Sequence, residues 1–154
     1  YTLCKNKIPF LMDLLANIKQ RNEKVVIYVK FLDEVAALSQ LIKDVVIYTG
    51  TEKQDLQLFR GDHDVLLCTY GVGSFGLNLQ YANNVIYFSQ TFDYKHKEQS
   101  RHRIYRTGQT RNVNIYNFWV GTGLDNLIKK SLDKKESVLN HVEQLISHKE
   151  AMLL

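Results

Sequence analysis

One proline, one tryptophan, two methionines and two cysteines are all that 154 residues contain of these types. Each scarcity excludes something. Cys4 and Cys68 stand far apart, with no second Cys or His at ligand spacing, so neither a disulfide framework nor a zinc site is expected, and two reduced thiols suit a cytosolic protein. Apolar runs are only strand-sized, and Lys5, Lys7 and Asp13 bracket the N-terminal one, which leaves no membrane span and no signal peptide. No Pro- or Ser-rich linker, low-complexity stretch or internal repeat divides the chain, and Pro9 lies ahead of the patterned segments. Residues 1–154 therefore read as a single domain, long enough to bury roughly two-thirds of its unfolded surface. Tyr at position 1 in place of Met points to a piece of something longer, or to a processed chain.

Acid is scarce in one place above all. Between Lys95 and Arg111 six Lys or Arg face a single acid, Glu98, a local charge of +5 in a chain whose net is +4. Guanidinium groups gathered in this way repel one another unless an anion joins them, and their planar fork matches phosphate. The segment is expected to meet a phosphate.

Around it the pattern alternates. Lys24–Lys30 is a continuous apolar run of strand length, followed by Leu32, Val35, Ala36, Leu38, Leu41 and Ile42 at helical spacing. Val45–Tyr48 reads as a second strand, Thr51 as the cap of a helix running to about Arg60, and Asp64–Thr69 as a third strand. Asn84–Phe88 and Val113–Trp119 make two more strands, with the arginine segment as a helix between them. From about Leu124 an amphipathic helix follows, with Leu127, Ile128, Leu132, Val138, Leu139, Val142, Leu145 and Ile146 on its stripe and a break near Lys135. Strands alternating with helices predict an α/β fold with a parallel sheet covered on both faces, a three-layer sandwich.

Gly71-Val-Gly73-Ser-Phe-Gly76 has the spelling of a dinucleotide-binding fingerprint. That fingerprint needs a crossover helix after its last glycine, yet only seven residues separate Gly76 from Asn84. A nicotinamide or flavin enzyme is disfavoured. The loop leaves a strand's carboxyl end with free backbone N–H groups, where phosphate can approach closely. Tyr87, Phe88, Phe92 and Tyr94 read as ordinary packing in preference to a base-stacking platform.

Gln99, Arg103 and Arg106 are spaced i, i+4, i+7 and would share one helical face, with Thr107-Gly108 ending the helix. Gln99-x-x-x-Arg103-x-x-Arg106-x-Gly108-Gln109 resembles motif VI of superfamily 2 helicases, and its terminal Gly-Gln is similar to the Swi/Snf-type branch of DNA-dependent ATPases. Leu66 to Leu79 resembles that branch's motif V, with Gly76, Asn78 and Leu79 aligned without a gap. Lys24–Phe31 is similar to motif IV and Tyr48–Gly50 to motif IVa, so the resemblance covers most of the chain. His102, Tyr105 and Gly71 stand where the branch commonly has Asp, His and Arg, and the segment between motifs IVa and V is short.

The resemblance implies the second, C-terminal RecA-like lobe of a two-lobed DNA-dependent ATPase. No Gly-x-x-x-x-Gly-Lys-Ser/Thr occurs, so the loop that cradles ATP and the acids that hold Mg2+ are expected upstream, on an N-terminal lobe of the same full-length protein. By this resemblance Arg103 and Arg106 would stabilise charge on the transferred phosphoryl group, Gln99 would orient them or the nucleotide, and Gly76 and Asn78 would line the nucleotide edge. Lys30, Phe31, Thr49, Gly50, Thr69, Tyr70 and Gly71 would touch the backbone of double-stranded DNA, without sequence preference. The isolated domain is expected to be monomeric, away from membranes and inactive alone. Frequent Asn, Lys, Ile and Tyr suggest a bacterial or phage protein of the cytoplasm, or a nuclear one if eukaryotic. The alternative is a nonenzymatic nucleic-acid-binding module.

Overall fold

The computed structural model describes residues 5–72, 77–121 and 123–135, and the side chains of all of these except 123–125. Gly73 and Gly76 of the glycine loop, and the tail beyond Lys135, lie outside the described residues. In chain order the elements are α1 (Lys7–Gln20), β1 (Val25–Val29), α2 (Leu32–Leu41), β2 (Val45–Tyr48), α3 (Leu56–Arg60), β3 (Val65–Thr69), β4 (Asn84–Tyr87), α4 (Tyr94–His102), β5 (Asn114–Asn117) and α5 (Gly123–Asp133).

The five strands form one parallel sheet in the order β2-β3-β1-β4-β5. Val25-Val-Ile-Tyr-Val29 sits at its centre and is buried at every position, which is why it is apolar on both faces where an antiparallel strand would alternate. Pleating divides the core in two. Val26, Tyr28, Leu66, Cys68, Val85 and Tyr87 face one way, against Phe59 of α3 and Ile104 beyond α4. Val25, Ile27, Val29, Leu67 and Ile86 face the other, against Leu11 and Ile18 of α1 and Val35 and Leu38 of α2. The result is the expected RecA-like three-layer arrangement.

One expectation about the elements needs correction. Thr51 does not cap a helix: the chain reverses after β2, with Thr49 N–H donating to the Glu52 carbonyl (2.6 Å) and Lys53 bridging back to Tyr48. α3 is a short helix, and its cap is Asp55, whose carboxylate accepts from Gln57 N–H at 2.8 Å. Residues 7–20, to which the sequence pattern assigned no element, form α1, a helix that includes Pro9. Proline is tolerated in that position because the first-turn N–H groups have no intrahelical partner to lose. α5 starts at Gly123, and Lys135 just past its end takes φ +59.

Between β3 and β4 no helix occurs among the described residues, in keeping with a loop too short for a dinucleotide crossover. β1 hands the chain on toward β2 and β3, while β4 hands it on toward β5 in the opposite direction. The carboxyl ends of β1 and β4 therefore flank the point where strand order reverses, the usual position of ligands in open α/β sheets.

Candidate functional site

Because the strands are parallel, Lys30-Phe31, Thr49-Gly50, Thr69-Tyr70-Gly71 and Ser89-Gln90 all emerge on one rim. They are not equally available. Lys30 is half-buried, with its ammonium 5.0 Å from the centre of the Phe92 ring, and Phe31 starts α2 with its N–H held by the Glu34 carboxylate at 3.1 Å. Gly50 and Gly71 are exposed. Gly71 has φ +76, a conformation glycine adopts without strain, and its Cα faces the His96 imidazole. Thr49 and Tyr70 turn their polar groups inward: Thr49 is buried and its hydroxyl accepts from Glu52 N–H at 2.9 Å, while Tyr70 donates its hydroxyl to the Ser89 carbonyl at 2.9 Å. The Tyr70 ring stacks on Tyr28 and Tyr87, so Tyr87 is a core residue and no base platform.

The arginine segment differs from the single-face helix expected. α4 is capped by Asp93, whose carboxylate accepts from Lys95 N–H at 2.8 Å, and it ends at His102. Gln99 is exposed on it. Arg103 follows as the C-cap and is only 7 % exposed, Ile104 plunges into the core, and Arg106 stands exposed on a turn. The three side chains do not share a helical face, because the burial of Ile104 and the φ of +103 at Gly108 bend the chain before a further turn can form.

That turn is fixed from two sides. Leu79 N–H donates to the Arg103 carbonyl at 3.1 Å, and the Gln109 side-chain amide donates to the Ala82 carbonyl at 2.8 Å. The segment leaving the glycine loop is thereby stitched to the arginine turn. Within that segment Asn78 Oδ1 and Gln80 Oε1 are buried with no hydrogen-bond partner, and Gln80 lies against Gly108. Unsatisfied buried acceptors are rare enough that each needs an explanation.

Electrostatics separate the arginines. Arg101 pairs with Glu98 at 3.0 Å, whereas neither Arg103 nor Arg106 forms an ion pair with a described carboxylate. The Arg103 charge faces the interior: burial pushes the Cys68 thiol up to about 12 and the Tyr28 hydroxyl up further, and in both cases the Arg103 charge opposes the rise. Lys97 is held by the Gln90 (2.7 Å) and Asn117 (2.8 Å) side-chain oxygens over the Tyr87 ring, and burial, then the Arg101 charge, push its pKa down to about 7. No three His, Cys, Asp or Glu side chains gather among the described residues, so these residues do not suit a Mg2+ cage. Glu34, Ser89, Gln90 and Lys97 carried no motif signal; their proximity exists only once β1 and β4 are paired.

A parallel RecA-like sheet with an arginine turn stitched to the segment between β3 and β4 defines a RecA-like α/β lobe. Residues 6–110 match the model of the helicase conserved C-terminal domain. ATP-dependent helicase FUN30 of Saccharomyces cerevisiae is 31% identical over 158 residues, covering 95% of this chain and 13% of its own length. Zorya protein ZorD of Escherichia coli is 32% identical over 129 residues, covering 71% of this chain and 12% of its own. The crystal structure of the C-terminal part of the Fun30 ATPase domain superposes with a TM-score of 0.69 at 32% identity, over 80% of this chain and 44% of that one. The Sulfolobus solfataricus SWI2/SNF2 ATPase core in complex with dsDNA gives 0.64 at 26% identity, over 84% and 29%. The chain belongs to the helicase C-terminal domain family, as the second lobe of a Swi/Snf-type superfamily 2 ATPase. It spans only about an eighth of the length of these two curated relatives. No helix among the described residues is long and apolar enough to cross a membrane.

Proposed function

We propose that this chain is the second motor lobe of an ATP-dependent translocase on double-stranded DNA, completing an ATP site that an N-terminal lobe begins. The observation that carries this reading is the contrast at motif VI: Arg101 is neutralised by Glu98, while Arg106 is exposed, without a described carboxylate partner, on a turn fixed to the β3–β4 segment. A cation held in place without a counter-charge suits an anion that arrives with another lobe.

In this reading Arg106 is the finger that meets charge developing on the transferred phosphoryl group, a role worth about 10³ to 10⁵ in rate in other phosphoryl-transfer enzymes. Arg103 stands behind it and adds its field from within the lobe. Gln99 orients the nucleotide from α4. The buried acceptor Asn78 Oδ1 awaits a donor that closure of the two lobes brings; Gly76, outside the described residues, is assigned to the nucleotide by the family resemblance alone. Mg2+, which neutralises phosphate charge, would be held by the other lobe together with most of the ATP. On the rim, Lys30, Phe31, Gly50, Thr69 and Gly71 contact the DNA backbone directly, while Thr49 and Tyr70 shape the loops. Alternating closure and opening would shift grip along the duplex. The isolated lobe would be monomeric, and its place in the cell would be wherever its DNA lies, cytoplasm or nucleus.

Two measurements test this. Alone, the chain is expected to hydrolyse ATP no faster than background with or without duplex DNA; robust turnover would overturn the half-site reading. In the two-lobed protein, Arg106→Ala is expected to abolish DNA-stimulated hydrolysis while ATP still binds. Equal losses in rate and affinity would remove the transition-state role.

A further inference from the structure

At the point where strand order reverses, the crevice between β1 and β4 is closed by a buried polar network. Ser89, first but one after β4, accepts from Lys30 N–H at 2.6 Å and donates its hydroxyl to Glu34 Oε2 at 2.6 Å. The same carboxylate oxygen takes the N–H groups of Lys30 and Phe31, each at 3.1 Å, and Glu34 has no exposed surface. The Ser89 carbonyl accepts from Tyr70. Three strand ends, those of β1, β3 and β4, thus converge on one serine.

Its neighbour carries the connection onward. Gln90 accepts from Lys97 at 2.7 Å and donates to the Tyr87 and Phe118 carbonyls, at 3.3 and 3.4 Å. The Lys97 carbonyl accepts from the Ser100 hydroxyl, which also meets the Tyr87 hydroxyl at 2.8 Å. Hydrogen bonds at Ser89, the peptide bond to Gln90 and the hydrogen bonds of Gln90 together connect Lys30-Phe31 on the rim to α4, which carries Gln99 and is capped by Arg103. Capping of α2 alone would need only Glu34 and the Phe31 and Lys30 N–H groups. It would not require a serine from the end of the adjacent strand β4, 55 residues on in the chain, nor full burial of the carboxylate. Buried networks whose members are all satisfied are stiff, because breaking one bond strands a polar group in low dielectric.

We propose that Ser89, with Glu34 beneath it, is a positioning residue that transmits engagement of DNA at Lys30-Phe31 to α4 and its arginine turn. This rests on the translocase reading above. DNA that draws the Lys30-Phe31 loop outward pulls directly on Ser89; displacement of the Ser89-Gln90 segment shifts Lys97, and with it the α4 register that sets Arg106. Ser89 touches neither nucleotide nor DNA itself.

The test uses the two-lobed protein and compares hydrolysis with and without duplex DNA. Ser89→Ala is expected to keep DNA-free kcat and DNA affinity near wild type and to lower DNA-stimulated kcat by about tenfold, a coupling loss within the usual range for linked sites. Ser89→Thr, which keeps the hydroxyl, is expected to restore stimulation. In a double-mutant cycle with Lys97→Met, the double variant should be no worse than the poorer single, since both cut one connection. Should alanine at position 89 unfold the lobe, Gln90→Met, which cuts only the onward link, carries the same expectation. Undiminished stimulation in Ser89→Ala, proportional loss of both rates, or multiplicative losses in the cycle would each overturn the proposal. A wild-type protein that DNA does not stimulate would instead defeat the translocase reading; a stimulated wild type with an indifferent Ser89 defeats this inference alone.

Discussion

The main-chain N–H of Leu79 donates to the carbonyl of Arg103 over 3.1 Å, joining the segment after β3 to the end of α4. The bond is to backbone, so it holds the turn while leaving both guanidiniums free of it. Arg103 and Arg106 should consequently separate by experiment. Arg106→Ala, at an exposed site, should leave stability within about 0.5 kcal/mol while lowering the DNA-stimulated rate of the two-lobed protein by about 10³. Arg103→Ala, inside the fold beside Cys68 and Tyr28, should lower stability as well, by about 1 to 3 kcal/mol. Urea melts run beside ATPase assays read the two effects apart.

Charge reversal distinguishes a finger from a general basic patch. Arg101 already spends its charge on Glu98. Arg101→Glu is expected to reduce DNA-stimulated turnover by less than about threefold, an exposed-pair effect, and Arg106→Glu to eliminate it. Similar losses of duplex affinity from both reversals, with no specific effect of Arg106 on turnover, would instead favour a simple electrostatic patch.

DNA contact at the rim is predicted to be electrostatic. Lys30→Ala should weaken duplex binding equally for unrelated sequences and reduce the slope of log affinity against log salt by about 1. Thr49→Ala should leave that slope unchanged, because the Thr49 hydroxyl is engaged with Glu52. Fluorescence anisotropy across a salt series measures both.

Lys97 makes stability depend on pH. Burial lowers its pKa from the ordinary 10.5 to about 7 in the folded state. Between those values the unfolded chain holds a proton that the folded chain has released, so stability from this group rises with pH across the window and is lost as pH falls through about 7. Urea midpoints measured from pH 6 to 10 should climb in the wild type and flatten in Lys97→Met.

Much of the fold was legible in the order of residues, and specific features show where legibility stops. Val25–Val29 announced a central strand because a short, mostly β-branched run that is apolar on both faces suits a parallel strand covered on both sides. The seven residues between Gly76 and Asn84 excluded a crossover helix by length alone. Residues 7–20 were given no element by the sequence pattern, yet they form α1, whose first turn has no use for the N–H that Pro9 lacks. At the site, Gln99, Arg103 and Arg106 were found by their spacing, but the spacing extended a helix past His102, and only the burial of Ile104 reveals that Arg103 points in while Arg106 points out. The Glu34–Ser89 contact spans 55 residues and depends on β4 lying beside β1, a tertiary fact that local pattern does not encode.

Cys68 lies at the centre of the sheet with no exposed surface and a thiol pushed up to about 12, so at neutral pH it offers no thiolate to an alkylating reagent. With Cys4 changed to serine, the native chain would be chemically silent toward maleimide dyes. A thiol introduced at Gly50 on the rim, or at Thr107 beside the arginine turn, would then be the sole point of attachment. Labels placed there could follow the approach of duplex and of the companion lobe in real time, without disturbing the serine that links them.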